Sequence, residues 1–191
     1  LIDVLMVIVL LAVVASALMT LSGRLAVQSA ETLKTRQSLA LAQALLEEVQ
    51  HMPFTYCDPN DANAATASGA FVGGAGCAAL VDGMGPEPGE TRTSAVNRFD
   101  GVSDYQGFAM PGPGCAAGLC DIAGNLINGA GSSLAGCSAS VALAPQALPA
   151  IAALDANGRP QALLITVRVA CPGITPLVLE GMRVRHAPNS F

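Results

Sequence analysis

Six cysteines are the residues of this chain whose type and number first suggest chemistry. An even set of cysteines is typical of proteins from oxidising compartments, where disulfides brace the fold. Cys115 and Cys120 are near enough in sequence to close a short loop, although a pair at this spacing could also ligate zinc. Because no second cysteine or histidine pair is spaced to complete four zinc ligands, a disulfide is the favoured interpretation.

An oxygen-rich run after the first cysteine could hold Ca²⁺. It consists of Asp58, Asn60, Asp61 and Asn63. The run lacks the glycine and the downstream bidentate glutamate of an EF-hand, so a capping loop is favoured over a calcium site. Asp100 and Asp104, which flank a predicted turn, are a second calcium alternative of the same kind.

Motifs of the common enzyme classes are missing from the sequence. It has no phosphate-binding loop, no GxSxG motif and no paired histidine and carboxylate. Its two histidines, His51 and His186, lie in unrelated contexts, and His51 is most simply a polar residue near a helix end. The net charge of −5, with nine scattered basic residues, argues against phosphate binding. We therefore expect no enzyme activity, no cofactor, no metal and no nucleic-acid partner.

Asp3 is the acid that precedes a long uncharged run. Positions 4–23 carry no charged residue, and as a helix they would extend over about 30 Å, the thickness of a bilayer core. A carboxylate in such a setting is costly unless it meets a positive charge. Asp3 is therefore either the capping residue of an ordinary signal anchor or a carboxylate that neutralises the N-terminal amine of a neighbouring subunit.

The elements that position these residues begin with one helix of about 50 residues. Apolar residues recur at helical spacing in its second half: Leu41, Leu45, Val49 and Met52. We expect residues 1–24 to form an apolar half that suits a membrane or a bundle of like helices. Residues 25–52 should form an amphipathic half packed on a globular, β-rich head at residues 53–191.

Three strands are predicted in the head. Alternating apolar and polar side chains indicate half-buried antiparallel strands at 134–143 and 163–171. A third strand, at 177–186, keeps an apolar face only if Gly181 forms a bulge. The bulge would place on one face Leu177, Leu179, Met182 and Val184. Residues 60–133 show little periodicity and predict ordered loops with short strands. With one long helix and an antiparallel sheet, the predicted fold class is α+β.

The strand pattern also suggests how the cysteines pair. Cys137 and Cys171 fall on apolar faces at opposite ends of adjacent antiparallel strands, so we expect them to be bridged. The resulting set is Cys57–Cys77, Cys115–Cys120 and Cys137–Cys171. Free thiols are the alternative, and they would remove the argument for an oxidising compartment.

Two arginines of the third strand, Arg183 and Arg185, are spaced to share one face. One interpretation is a solvated face of the head. The other is an intersubunit ion-pair site that meets Glu47 or Glu48 of a neighbouring chain.

The first residues, LIDVLMVIVLLAVVASALMTL, are similar to the N-terminus of mature type IV pilins and pseudopilins. The resemblance implies that two residues, Phe-Thr, precede Leu1 in the mature protein. It also implies that Asp3 takes the place of the family's acid, which pairs with the N-methylated amine of a neighbour during assembly. Aspartate in place of the usual glutamate shortens the reach of this carboxylate.

Further blocks resemble the MshD-like minor pilins of the mannose-sensitive haemagglutinin pilus. They are QSLALAQALLEEVQHMPF, NRFDGVSDYQGF, QALLITVRVACPG and VLEGMRVRHAP. The insert at 62–91 and the extra cysteines depart from that pattern. The resemblance implies the type IV pilin fold, with a long N-terminal helix packed on a small antiparallel sheet and Gly-rich, disulfide-tied loops.

The function implied by this resemblance is that of a structural subunit, major or minor, of a type IV pilus-like filament with a role in adhesion or motility. Its implied partners are copies of itself, other pilins, the pilus assembly machinery and the inner membrane. After assembly the subunit would lie in an extracellular filament on a Gram-negative-type bacterium. The alternatives are a type II secretion pseudopilin and a signal-anchored periplasmic binding domain outside any filament.

Overall fold

The computed structural model describes residues 2–129 and 131–185, with the backbone alone for residues 23–27. The elements in this part of the chain are α1 (Ile2–His51), a 3-10 turn (Ser103–Tyr105), β1 (Ala109–Met110), β2 (Ser138–Pro145), β3 (Ala162–Ala170) and β4 (Leu177–Val184). The strands form one antiparallel sheet in the order β1-β2-β3-β4. The protein is therefore α+β, as the sequence predicts.

The C-terminal part of α1 packs on β3 and β4. Its apolar residues in the core are Leu41, Ala42, Leu45, Leu46 and Val49, and Met52, just after the helix, packs against the same core. The Nζ of Lys34 donates to the carbonyl of Pro172, and Ser38 is buried one turn further on. Residues 28–33 are exposed. We call residues 34–51 the packed segment, which begins about nine positions later than the sequence suggests.

β3 forms the centre of the sheet beneath the packed segment. Its buried inner residues are Leu163, Ile165, Val167 and Val169. Val141 of β2 and Leu179 of β4 flank Val167 in the register. The alternation that predicts these strands is confirmed, although β2 begins at Ser138, four residues later than expected. Predicted strand residue His186 lies outside the described residues.

The expected bulge at Gly181 is wrong. β4 pairs with β3 without interruption, and Gly181 lies opposite Ile165. A Cβ on Gly181 would lie 3.0 Å from the Cδ1 of Leu46 and would also crowd the side chain of Gln50. The glycine thus lets a regular strand lie close against the helix, while Met182 is left on the exposed face.

Long loops complete the head, and disulfides tie them down. The bridges are Cys57–Cys77, Cys115–Cys120 and Cys137–Cys171, which use all six cysteines in the expected pairs. A separate small cluster around Cys57 and Cys77 includes Ala64 and Ala67. This small cluster buries little apolar surface, so the Cys57–Cys77 bridge supplies much of what holds it.

An aromatic cluster joins the loops to the helix and sheet. Phe99, Tyr105 and Phe108 are all buried, and their ring centroids lie 5.1–6.0 Å apart in edge-to-face arrangements. Such pairs add about 0.5–1.5 kcal/mol each beyond their burial. The loops at 53–108 are therefore packed on the main core rather than loosely attached to it.

Candidate functional site

The first functional feature is the apolar segment of α1, Ile2–Ser22. Its mean hydropathy is 2.9, and none of it is buried within the protein. It is long and apolar enough to cross a membrane, although the same test is passed by signal sequences. Three hydroxyls in the segment, of Ser16, Thr20 and Ser22, donate to carbonyls one turn earlier. Its surface is therefore almost entirely hydrocarbon.

Asp3 lies in the first turn of α1, the position that the sequence predicts. A carboxylate there is favoured by the helix dipole by about 0.3–1 kcal/mol. The apolar side chains of the next turns are exposed around it, with Val4 at 62% and Met6 at 65%. Asp3 is thus the one acid of an otherwise uncharged 21-residue helical surface.

A buried polar network anchors the loops to the packed segment. Arg92, only 6% exposed, donates through Nε and Nη2 to both carboxylate oxygens of Glu48 at 2.7 Å. The hydroxyl of Tyr105 donates to the same carboxylate at 2.6 Å. Burial, followed by the charge of Glu48, raises the pKa of Tyr105. Sequence reasoning missed this network, because its members are up to 57 positions apart.

The solvated face expected for Arg183 and Arg185 is wrong, and of the two acids considered for an intersubunit ion pair Glu48 is already paired within the chain. Arg183 donates to the carbonyl of Met52, just after the end of α1. The side chain of Arg185 is 3% exposed, lies over the rings of Phe54 and Tyr56, and approaches Asp82 at 3.9 Å. Neither is part of a solvated face, because the chain bends its loops over this edge of the sheet. The Glu48 carboxylate is already occupied by Arg92, so it is not a free partner for a neighbouring subunit.

Six carboxylates converge where the loops meet. Oxygens of Asp58, Glu90 and Asp100 lie within 4.8 Å of one another, and the same holds for Asp82, Glu87 and Asp104. We call these six residues the acidic chamber. Asp58, Asp82 and Asp104 are at least 94% buried, and the other three are half-buried. Arg185 approaches the carboxylate of Asp82 at 3.9 Å, and Arg159 donates through Nη1 to the backbone carbonyl of Asp82.

Four carboxyl groups of the acidic chamber have raised pKa values. Burial is the largest cause for each, and it raises the pKa of Asp100 to about 6, those of Asp82 and Asp104 to about 7, and that of Glu90 to about 8. The neighbouring Glu87 adds to every one of these shifts. The chamber is therefore chemically suited to hold protons or a hard cation between its oxygens.

Only part of the acidic chamber was predicted. Of the three calcium candidates Asp58, Asn60 and Asp61, only Asp58 belongs to it. Asn60 instead donates to Asp100. Asp61 accepts four backbone amide hydrogen bonds, from Asn63 and from residues 78–80.

The missed members of the acidic chamber are Asp82, Glu87 and Glu90. A signal for them was present, since five of the six acids fall within positions 82–104 of a Gly-rich stretch with few basic residues. Their convergence depends on loop geometry that periodicity does not encode. Asp100 and Asp104, considered as a separate calcium alternative, are indeed close but belong to different trios.

Comparison with known proteins gives no match: no family model, curated protein or solved structure matches this chain.

Proposed function

We propose that this chain is a structural subunit of a type IV pilus-like filament, assembled through its apolar segment, and that it is not an enzyme. The observation that carries the proposal is the continuity of α1. One helix presents a 21-residue, largely apolar segment, Ile2–Ser22, none of which is buried within the protein, and then packs its last turns on the head. The N-terminal resemblance to type IV pilins, including an acid at Asp3, supports the same reading.

In the proposed assembly, the apolar segment exchanges contacts with lipid chains for contacts with like helices. Lipid chains and apolar side chains are similarly apolar, so the apolar segment can leave a bilayer for a bundle of like helices at little cost in apolar burial. The bundle then gains close packing between helices. The inner membrane is thus the proposed waiting place, and copies of the chain and other pilins are the proposed partners.

Asp3 would fix the register of each helix against its neighbours in the bundle. In an apolar bundle its carboxylate is costly unless a positive group lies beside it, and an N-terminal amine of a neighbouring subunit meets that need. The head would lie outside the bundle, where the disulfides of its loops suit an oxidising exterior. We propose that such a filament serves adhesion or motility through its exposed loops.

The test replaces Asp3 in the full chain produced in its native host. Asp3→Ala should lower the yield of filaments sheared from cells by about tenfold or more, because an unpaired buried charge costs about 3–5 kcal/mol. The amount of chain in the membrane fraction should not change. Electron microscopy and immunoblotting of sheared and membrane fractions measure the two quantities.

Two matched variants complete the experiment. Asp3→Glu keeps the carboxylate and should retain filaments, whereas Glu31→Ala removes an exposed acid of the same helix and should leave the yield unchanged. Normal filaments from Asp3→Ala would contradict the role of Asp3. A wild-type chain that stays in the membrane and never enters a fibre would contradict the proposed function itself.

A further inference from the structure

The loop that the Cys57–Cys77 bridge closes belongs to a stretch with no charged side chain between Asp61 and Asp82. Its residues 71–75, with the sequence Phe-Val-Gly-Gly-Ala, are all exposed. Phe71 is 44% exposed and Val72 is 60% exposed. We call residues 71–75 the apolar tip. Neighbouring apolar residues that are left open to solvent at the end of a loop point to an interaction site.

Backbone hydrogen bonds hold the apolar tip in one conformation. The amide of Cys77 donates to the carbonyl of Phe71 at 2.7 Å, and the amide of Gly73 donates to the carbonyl of Cys77 at 2.8 Å. The Phe71 ring lies over Gly69 and Gly76, where an added Cβ would be 2.5 Å from its Cε1 atom and 2.7 Å from its Cδ2 atom, respectively. The ring therefore rests on bare backbone, and the tip would bind a partner with little further loss of entropy.

The apolar tip is too small for a stable protein–protein interface. At their exposed fractions Phe71 and Val72 present roughly 200 Å² of surface, against about 800 Å² per partner in a stable complex. Beyond their chain neighbours, Gly73 and Gly74 have no atom within 4 Å of where a Cβ would lie, so the tip projects into open space and lines no groove. A projecting apolar group suits a partner that deforms around it, as a lipid bilayer does.

We propose that the apolar tip inserts into the surface of a phospholipid bilayer and thereby attaches the head to a membrane. Phe71 and Val72 would enter the boundary between head groups and acyl chains. No basic residue lies between His51 and Arg92, and the chain carries a net charge of −5. This part of the chain therefore offers no attraction to anionic lipids, so the preferred surface is zwitterionic.

The apolar tip lies near the end of α1 that is remote from the apolar segment. Cys77, which is hydrogen-bonded to the tip, is bridged to Cys57, a few residues after α1 ends at His51. From His51 back to Ser22, where the apolar segment ends, α1 extends over about 44 Å. A chain anchored by its apolar segment would therefore present the tip to a second membrane, such as that of another cell.

A single apolar tip would bind weakly, because it buries only two large side chains. Many heads on one surface would strengthen attachment by a factor of about 10²–10⁴ without any new contact. The inference rests on the proposed function in that a filament would supply this repetition, and it names a lipid surface as the adhesive target. Its test uses chains anchored singly in vesicles, so the result does not depend on filament assembly.

The test asks whether anchored chains capture a second bilayer. The full chain is reconstituted through its apolar segment into phosphatidylcholine vesicles that contain a fluorescent lipid. Phosphatidylcholine vesicles loaded with sucrose and free of protein are then added, and their sedimentation should carry the fluorescent vesicles with them. Capture should persist from about 0.1 M to about 1 M salt, because it does not depend on charge. Anionic lipid in the heavy vesicles should not increase it.

A double variant identifies the apolar tip as the contact. Phe71→Asn with Val72→Asn removes both large apolar side chains without adding charge, and capture should fall by about tenfold or more. The matched control, Val178→Asn with Met182→Asn, removes two residues that are 49% and 40% exposed on β4 and should leave capture unchanged. If the double variant does not fold, Val72→Asp alone keeps the Phe71 ring on its glycines and should give a comparable loss.

A fluorescent reporter is available because the chain contains no tryptophan. Phe71→Trp places a single indole in the apolar tip, and its emission should shift to shorter wavelength when the heavy vesicles are added. Brominated lipid present only in the heavy vesicles should quench this emission. The matched reporter, Val178→Trp, should show neither change.

Three results would overturn the proposal. They are the absence of capture by the wild type, equal capture by the wild type and the tip variants, and an equal response from the reporters at positions 71 and 178. Capture that requires anionic lipid, or that salt abolishes, would place the contact on charged groups elsewhere and would count equally against the tip. None of these outcomes changes the filament yield measured with the Asp3 variants, so the two proposals fail separately.

Discussion

Asp61 shows how backbone amides determine the state of a single carboxyl group. Its Oδ1 accepts from the amides of Asn63 and Ala78, and its Oδ2 accepts from those of Ala79 and Leu80. The amide of Leu80, followed by the others, holds the pKa of Asp61 well below its usual value of 3.8. In the acidic chamber, burial without enough donors has the opposite effect. The same residue type therefore serves two different purposes within one loop region.

A pH-dependent stability difference follows for Asp61→Asn. The variant should be less stable than the wild type near neutral pH, because an amide group would face the amides of Ala79 and Leu80. A depressed pKa stabilises the fold fully above the unfolded value of 3.8, and that contribution is lost as pH falls towards the folded value. The difference in Tm between the two proteins should thus shrink between about pH 5 and pH 2.

Thermal unfolding followed by circular dichroism, in EDTA and detergent, measures this difference. Titration of the other carboxyl groups affects both proteins alike and cancels in the comparison. Glu180→Gln, which removes an exposed acid from β4, controls for the change in net charge. A difference in Tm that stays constant or grows on acidification would exclude the assigned role of Asp61.

At the scale of elements, the three disulfides differ in the length of chain that they close. The sequence separations are 34 for Cys137–Cys171, 20 for Cys57–Cys77 and 5 for Cys115–Cys120. The entropy of loop closure in the unfolded chain predicts stabilisation by about 4, 3 and 2 kcal/mol, respectively. Replacing each pair by serine should lower the free energy of unfolding in that order.

Denaturant unfolding of the three double-serine variants checks the order. The Cys137–Cys171 variant should also loosen the sheet, because the bridge joins the start of β2 to the end of β3. The Cys115–Cys120 variant should be closest to the wild type. If that shortest bridge proves the most stabilising, local strain or packing rather than chain entropy controls the head.

The sequence predicted the helices and strands whose apolar residues recur at a regular spacing. Helical spacing identified Leu45 and Val49 as buried residues of α1, and strict alternation identified the inner face of β3. Gly181 was misjudged, because apolar patterning assumes that the inner face of a strand is filled by its own side chains. In the structure that space is filled by Leu46 and Gln50 of the helix.

Loop contacts were the part that the sequence could not provide. Glu48 and Arg92 lie 44 positions apart, and the six acids of the chamber come from three segments without any periodic pattern. Their convergence depends on turns and disulfides that fix the loops in space. The sequence shows that these residues are acids, but it does not show that they lie close together in the fold. The buried charged groups of this protein are thus found mainly in the loops, where the sequence shows no periodic pattern.

At the scale of the whole molecule, α1 divides the protein into a part that packs and a part that does not. The apolar segment has no buried residue, whereas the packed segment shares its core with the sheet and the aromatic cluster. The stability of the head should therefore not depend on the apolar segment. Most of the large exposed apolar side chains of the described residues also lie in that segment.

Removing residues 1–27 tests this division. The shortened chain should be monodisperse without detergent, because the deletion removes the apolar segment and keeps the helix from Gln28, including Lys34, which donates to the head at Pro172. Its Tm should lie within about 2 °C of that of the full chain, since a change of 1 kcal/mol shifts Tm by about 2–4 °C at this size. Light scattering and thermal unfolding measure both properties.

The matched contrast is a chain that lacks residues 1–41 and begins at residue 42. It also loses Ser38 and Leu41, so its head should unfold. Aggregation or unfolding of the shorter deletion would mean that the first half of α1 contributes to the fold, and the separation of an assembly helix from a self-sufficient head would then be wrong.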